Sequence, residues 1–460
     1  MQTSAIKDFT KGNITKQLVT FAWPLLLSNI LQIVYNMVDM IIVGNVMGKT
    51  GTSAVTVGGD VSNLMTFVVM GFAAAGQVII ARYIGARERD KIARFVGTMS
   101  SFLFICAVVL SVIGLIFRKE LLLLMNTPKE AYEGALAYST ICISGLVFIY
   151  GYNAVSAILR GMGDSKHPLI FIGIAASTNL ILDVLFVIVL KFGAGGAALA
   201  TVISQALSFI LCTAFLVRHR RQFELDAKLK DFFKMDGMML IEFVKLGTPM
   251  AIKFASVQVS KLFVNSFINS YGIAVSAFAG IANKLASIVN LFSNAMNTAG
   301  STMAGQNIVA GEFDRVKKIM KNIFIITFVI TVAFSVLITI FPEGIFSLFL
   351  DDADTDVLAL ARGYVPIAIL MFIASSLRAT MNALINGSGN AKLNFLTAIL
   401  DGIVLRIGLA LLFGLALNMK YTGFWLGDAL AGFTPFWLGL IFYLSGTWKK
   451  CAKLKEVESH

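Results

Sequence analysis

Apolar residues in this chain run in stretches of twenty and more, and polar residues gather in short clusters between them. Strand-type alternation is absent, which argues against a β-barrel. A helix needs about 20 predominantly apolar residues to cross the hydrocarbon core of a bilayer. The pattern predicts twelve such spans, near residues 18–44, 53–80, 95–117, 136–159, 168–190, 195–217, 243–270, 275–303, 320–341, 362–385, 393–417 and 422–447. Met1–Gln17 is polar, and the apolar stretch after it lacks an Ala-x-Ala cleavage pattern, so it reads as a retained span and not a removed signal peptide.

Composition agrees with the pattern. Of 460 residues 57% are hydrophobic and 14% charged, against about a quarter charged in a soluble globular chain. The net charge of +12 would suit nucleic acid, but its distribution does not. On the side of the membrane that holds both termini there are 26 Lys and Arg residues, and on the other side 7. The positive-inside rule therefore predicts that both termini are cytoplasmic, in a multi-pass protein of the inner, cytoplasmic membrane. The acidic loop with Asp351, Asp352, Asp354 and Asp356 falls on the outer side. Some of the positive charge also favours anionic lipid, so the bilayer is a partner and nucleic acid is not.

The chain repeats itself at an offset of about 225 residues. Pro24 matches Pro249, Asp90-Lys91-Ile92 matches Asp314-Arg315-Val316, and Gly161-Met162-Gly163-Asp164 matches Gly387-Ser388-Gly389-Asn390. Gly196 and Leu199 match Gly423 and Leu426. Six spans per half make the repeats parallel. The expected organisation is an all-α membrane protein with a first half over 1–217, a cytoplasmic linker over 218–242, a second half over 243–447 and a cytoplasmic tail over 448–460. Phe232, Phe233, Met235 and Met239 among the linker lysines suit an interfacial helix. Pro24 and Pro249 are expected to kink their helices.

Ionisable groups in hydrocarbon need a partner or a cavity. On the first span Gln32, Tyr35 and Asn36 precede Asp39 by seven, four and three residues, which is one helix face. Asn179 and Asp183 share a face of the fifth span, and Thr201 and Gln205 a face of the sixth. Asp39, Asp183 and Thr201 all fall in the outer half of the bilayer. Two carboxyl groups together in a dry cavity cannot both stay charged, so such a pair takes up a proton. With the Asn179 and Thr201 oxygens it equally forms a Na⁺ site, since a hard cation wants oxygen ligands. Asn153 on the fourth span is a further candidate. The second half is basic instead: Lys253, Lys261, Lys284, Arg378 and Arg406 lie within spans, against Asp401 and Asp428. The offset sets Val264 opposite Asp39 and Leu409 opposite Asp183. Lys253 lies near the cytoplasmic face and is expected to snorkel. Lys261, Lys284 and Arg406 are expected to face a substrate cavity, with Gln32, Tyr35 and Asn36, which implies an anionic or zwitterionic substrate. The other account of Arg406 pairs it with Asp401.

Catalytic motifs are missing. Gly44-x3-Gly48-Lys49-Thr50 falls one residue short of a P-loop. His167, His219 and His460 are scattered and so are Cys106, Cys142, Cys212 and Cys451, which leaves no metal-type cluster. The expectation is a transporter without cofactor and without enzymatic activity.

In their order and spacing, Pro24 followed by Asp39 and Val43-Gly44, the Ala81-Arg82-Tyr83-Ile84-Gly85-Ala86 turn, Gly305-Gln306-Asn307, the Leu159–Asp164 segment, Asn179-x3-Asp183 and the Gly196–Thr201 segment resemble the multidrug and toxic compound extrusion (MATE) transporters. The resemblance implies an N-lobe and a C-lobe of six helices each, in a V shape, exporting drugs as a monomer against entry of H⁺ or Na⁺. In the DinF-like branch the coupling site looks like Asp39, Asn179, Asp183 and Thr201, with Asn153. The NorM-like branch carries acids on spans seven and ten, where this chain has Val257-Gln258 and Ser375. The alternative is a flippase of lipid-linked or polysaccharide precursors, which resembles MATE transporters in fold and has a cationic cavity. A major facilitator transporter fits poorly, since Arg82–Arg87 does not match its loop signature.

Overall fold

The computed structural model describes residues 5–225, 234–347 and 355–452. Asp351, Asp352, Asp354, Phe232, Phe233 and His460 lie outside them, as does the side chain of Asp356. Among the described residues the chain is helical and has no strand.

Each predicted span has its helix. The first two form α1 (Ile14–Gly85), which runs through Pro24 and breaks at Gly48, whose φ of 63° a glycine adopts without a Cβ penalty. α2 (Arg89–Ile116) is the third span, and a short α3 (Arg118–Leu124) follows it. The fourth span is α4 (Lys129–Ser144) and α5 (Leu146–Gly161), bent by 48°. The fifth is α6 (Lys166–Asp183) continued by a π-helical segment, Val184–Val189, and the sixth is α7 (Gly193–Arg218). Then come α8 (Gly237–Asn269), α9 (Ile273–Val309), α10 (Phe313–Ile340), a short α11 (Pro342–Ser347) and α12 (Thr355–Gly387). The eleventh span joins α13 (Ala391–Ile399) and α14 (Arg406–Leu411) through π segments Leu400–Leu405 and Leu412–Ala416. The twelfth is α15 (Lys420–Ala431) with α16 (Thr434–Leu444). Among the described residues nine helices are long and apolar enough to span a membrane, and the bent α4–α5 pair is a tenth. The break in α1 makes two spans of one helix, and α8, whose Lys253 and Lys261 dilute its apolar run, completes twelve.

The repeat holds at the level of single hydrogen bonds. Glu88 N donates to Tyr83 O after the second span, and Glu312 N to Asn307 O after the eighth. Asp164 Oδ1 caps the start of α6, accepting from His167 N at 3.2 Å, and Asn390 Oδ1 caps α13, accepting from Leu393 N at 3.0 Å. Beyond the caps, Phe192 N reaches Phe186 O and Met419 N reaches Phe413 O. Gly196 and Gly423 follow; a Cβ on Gly423 would collide with the Phe413 carbonyl, and one on Gly196 would meet the Phe186 carbonyl at 3.1 Å. The caps, Asp164 and Asn390, are 226 residues apart, whereas Gly196 and Gly423 are 227 apart. The extra residue lies in the Leu400–Leu405 segment, since a π turn accommodates one more residue than an α turn and α6 has no such segment before Asp183. Its loosened carbonyls are met by serines of α8: Ser256 Oγ donates to Ala398 O at 3.2 Å, and Ser260 Oγ to Gly402 O.

The described residues cluster into two compact units, 5–8 with 23–251 and 9–22 with 252–452. In the first unit Phe243, at the start of α8, makes edge-on contacts with Phe72, Phe95 and Phe102. Tyr83 Oη donates to Glu242 Oε2 at 3.0 Å. In the second unit the segment before α1 is gripped by the end of α9. Phe9 N donates to Gln306 Oε1 at 2.8 Å, and Phe9 O accepts from Asn307 Nδ2 at 3.1 Å and Arg315 Nη2 at 2.9 Å. Buried Gln306 and Asn307 of the Gly-Gln-Asn motif thus hold backbone. The second unit's core packs Phe278, Phe346, Tyr364, Phe424 and Trp425.

Candidate functional site

In the first unit α1 carries Asp39 inward, one turn after Tyr35, and α6 presents Asn179 and Asp183 on one face. Asp183 is the last residue before the π segment Val184–Val189. Asp39, Asn179 and Asp183 are 7%, 3% and 1% exposed. The carboxyl groups of Asp39 and Asp183 lie within hydrogen-bond reach of each other. No donor among the described residues serves Asp39 Oδ1 or either oxygen of Asp183, and Asn179 Nδ2 has no acceptor. Buried polar groups without a partner are rare because each forfeits its hydration, and four in one place point to a species that visits the site. The donor set fits either candidate: a proton shared by the two carboxyl groups, or a small hard cation among their oxygens.

Thr201 on α7 donates its hydroxyl to Ala197 O at 3.0 Å, which leaves the lone pairs of Oγ1 for other partners. Tyr138 of α4 stands beside Thr201 and Asp39, and Tyr35 stands beside Asp39 and Gln205. Tyr138 belongs to the cluster and is absent from the sequence-derived set; its only signal was a tyrosine just inside the outer end of the fourth span. Asn153 is not drawn in: its Nδ2 donates to Ile149 O on its own helix at 2.8 Å, and no hydrogen bond among the described residues joins it to the acids. Gln32 and Asn36 are exposed, and Tyr35 is half-buried beside Asp39.

The second unit holds a different centre. Arg406 of α14 is 1% exposed and donates Nη2 to Asp401 Oδ1 at 2.8 Å and Nη1 to Asp428 Oδ1 of α15. Arg406 thus pairs with Asp401, as the other account has it, and with Asp428 of the neighbouring span, and it also borders a small cavity together with Lys261. Lys253 does not snorkel, since its Nζ donates to Asn382 Oδ1 at 2.6 Å. Lys261 borders two small cavities, both of which also reach Asp428. Lys284 is exposed and lines neither cavity. Arg378 of α12 donates Nη2 to Asn290 Oδ1 at 2.7 Å.

The MatE family profile matches residues 24–185 and 249–412, one match per repeat. The chain is 30% identical over 96% of its length to the probable multidrug resistance protein YoeA of Bacillus subtilis, of which it covers 96%. It is 24% identical to the probable multidrug resistance protein NorM of Thermotoga maritima, with 96% of this chain and 94% of that one covered. Among solved structures it is similar to an outward-facing multidrug resistance MATE family transporter, with a TM-score of 0.89 at 21% identity over 98% of this chain and 100% of that one. This chain belongs to the MatE family and is a multi-pass membrane protein with its two-repeat fold.

Proposed function

We propose that the chain is a secondary active antiporter that exports small organic compounds by alternating access, driven by inward cation flow through the Asp39–Asp183 pair. The observation that carries this reading is the contact of two buried carboxyl groups whose oxygens have no protein donor. Two carboxylates in that position repel each other and have lost their water, so the site binds a proton when open to the outside and releases it when open to the cytoplasm. Asn179, Thr201 and Tyr138 stand around the pair and complete the polar pocket. The same oxygens suit Na⁺, and a proton is favoured because one shared hydrogen satisfies both carboxyl groups at once. The names of its relatives, multidrug resistance and export proteins, support drug-like cargo.

The lobes are 1–217 and 243–447, joined by the linker 218–242, with the tail 448–460 and both termini in the cytoplasm. The basic excess of 26 against 7 on that side supports this orientation. The protein works as a monomer in the cytoplasmic membrane, with no cofactor and no enzymatic reaction. The test is efflux of a panel of dyes from proteoliposomes under a pH gradient and, separately, a Na⁺ gradient, for wild type, Asp39→Asn and Asp183→Asn. Efflux driven by the pH gradient alone and lost in either variant is the expected result. Wild-type efflux in both variants would falsify the coupling site.

A further inference from the structure

Within the second unit, four cations approach one another around α8, α12 and α14: Lys253, Lys261, Arg378 and Arg406. Among the described residues only Asp401 and Asp428 face them, and both are committed to Arg406. Two positive charges remain in excess among membrane-spanning helices, where an uncompensated charge is costly. Lys253 has Asn382 as its hydrogen-bond acceptor. Lys261 makes no ion pair or hydrogen bond among the described residues, and Arg378 makes only its bond to Asn290. Asn290 Oδ1 in turn lies 2.7 Å from Ser375 Oγ, which fixes the amide and through it the plane of the guanidinium. Lys261, Arg378 and Ser375 border one cavity, with about 30 Å³ of space for water. That space suits an acidic head group and not a whole drug-sized molecule. A second, smaller cavity of about 10 Å³ meets the first at Lys261 and Asp428, between Asn265, Asn283, Tyr364 and Trp425, and holds no more than a water.

We propose that the first cavity is a binding site for the carboxylate of organic acids, held by Lys261 and Arg378, with the rest of the molecule outside it. A planar guanidinium with free N–H groups matches a carboxylate in two-point fashion, and the ammonium adds a second charge. A bound carboxylate offsets one of the two excess positive charges. The proposal deepens the transport reading and rests on it only for the claim that such acids are cargo.

Binding separates the two claims, because it needs no gradient. Purified full-length protein in detergent is titrated against 5-carboxyfluorescein, followed by fluorescence anisotropy, with the cation ethidium in parallel. The expected result is saturable carboxyfluorescein binding that weakens with added salt and weakens tenfold or more in Arg378→Gln and in Lys261→Gln. Arg378→Lys recovers part of the loss, and ethidium binding does not fall in any of the three. Unfolding midpoints screen each variant for folding, and Lys261→Gln carries the test if Arg378→Gln does not fold. Absence of saturable anion binding by wild type, or equal binding by the folded Gln variants, overturns the site. Asp183→Asn should bind the anion normally. If it does and yet also pumps normally, the coupling reading fails while the anion site stands.

Discussion

The two repeats place polar residues at matching positions and use them in opposite ways. With the extra residue of the eleventh span allowed for, Asn179 corresponds to Arg406, Thr201 to Asp428, and Tyr138 to Tyr364, which stands near Asp428 as Tyr138 stands near Thr201. Asn36 corresponds to Lys261. The acids correspond to Val264 and Ala410, both in the second unit's hydrophobic core. In the first repeat the carboxyl groups have no protein partner; in the second, carboxylates at other positions of the same framework enclose an arginine. An arginine tethered between two carboxylates is a cation that never leaves. The difference teaches that the duplicated framework supplies a buried polar centre in each half, and that a resident positive charge decides whether that centre can exchange one with the solvent.

The comparison breaks most completely if the first half is given the second half's residues. Asp39→Val with Asp183→Ala should reduce gradient-driven efflux from proteoliposomes to that of empty vesicles, while the unfolding midpoint is unchanged or rises, because unpartnered buried polar groups cost stability. Next in size is Arg406→Leu, which strands two buried carboxylates and should destabilise by about 3–5 kcal/mol in thermal or denaturant unfolding. Adding Asp401→Asn and Asp428→Leu to the same chain should recover most of that loss; no recovery would show that Arg406 acts by more than charge balance. Gly423→Ala should cost about 1–3 kcal/mol by forcing the Phe413 carbonyl aside, more than Gly196→Ala, whose Cβ has more room. Removing the Tyr138 hydroxyl with Tyr138→Phe should slow efflux by roughly tenfold, the worth of about one hydrogen bond. Tyr364→Phe should leave the rate alone, and equal effects would mean that both halves couple. The smallest change is expected from Gln32→Ala, exposed and outside the cluster, within about 0.5 kcal/mol of wild type in unfolding.

The spans were legible because bilayer thickness sets a length that apolar runs report directly, even in α8, where two lysines interrupt the run. The turns were legible through glycines and caps at matching offsets. Asp39, Asn179, Asp183 and Thr201 were found because four-residue spacing marks a helix face. What spacing cannot report is which neighbour that face meets. Tyr138 carries no such spacing signal, and Gln32 and Asn36, spaced to share the face of Asp39, are exposed. Asp401 was seen as a partner of Arg406 from within one span, whereas Asp428 reaches it from the next. Leu409 was set opposite Asp183 because an offset counted through loops cannot locate an extra residue inside a helix; Ala410 takes that place.

That residue has a wider consequence. Inserted into a regular helix, one residue would swing every later side chain by about 100° around the axis. The Leu400–Leu405 turn instead widens locally, and beyond it the contact of Gly423 with Phe413 repeats that of Gly196 with Phe186. Length and orientation are thereby uncoupled along this span. Gene duplication leaves two copies free to drift, and a widened turn lets one copy gain or lose a residue without rewriting the faces on either side of it. An alignment of the halves without a gap at that turn would set Arg406 opposite Leu180, and the kinship between the two polar centres would vanish from view.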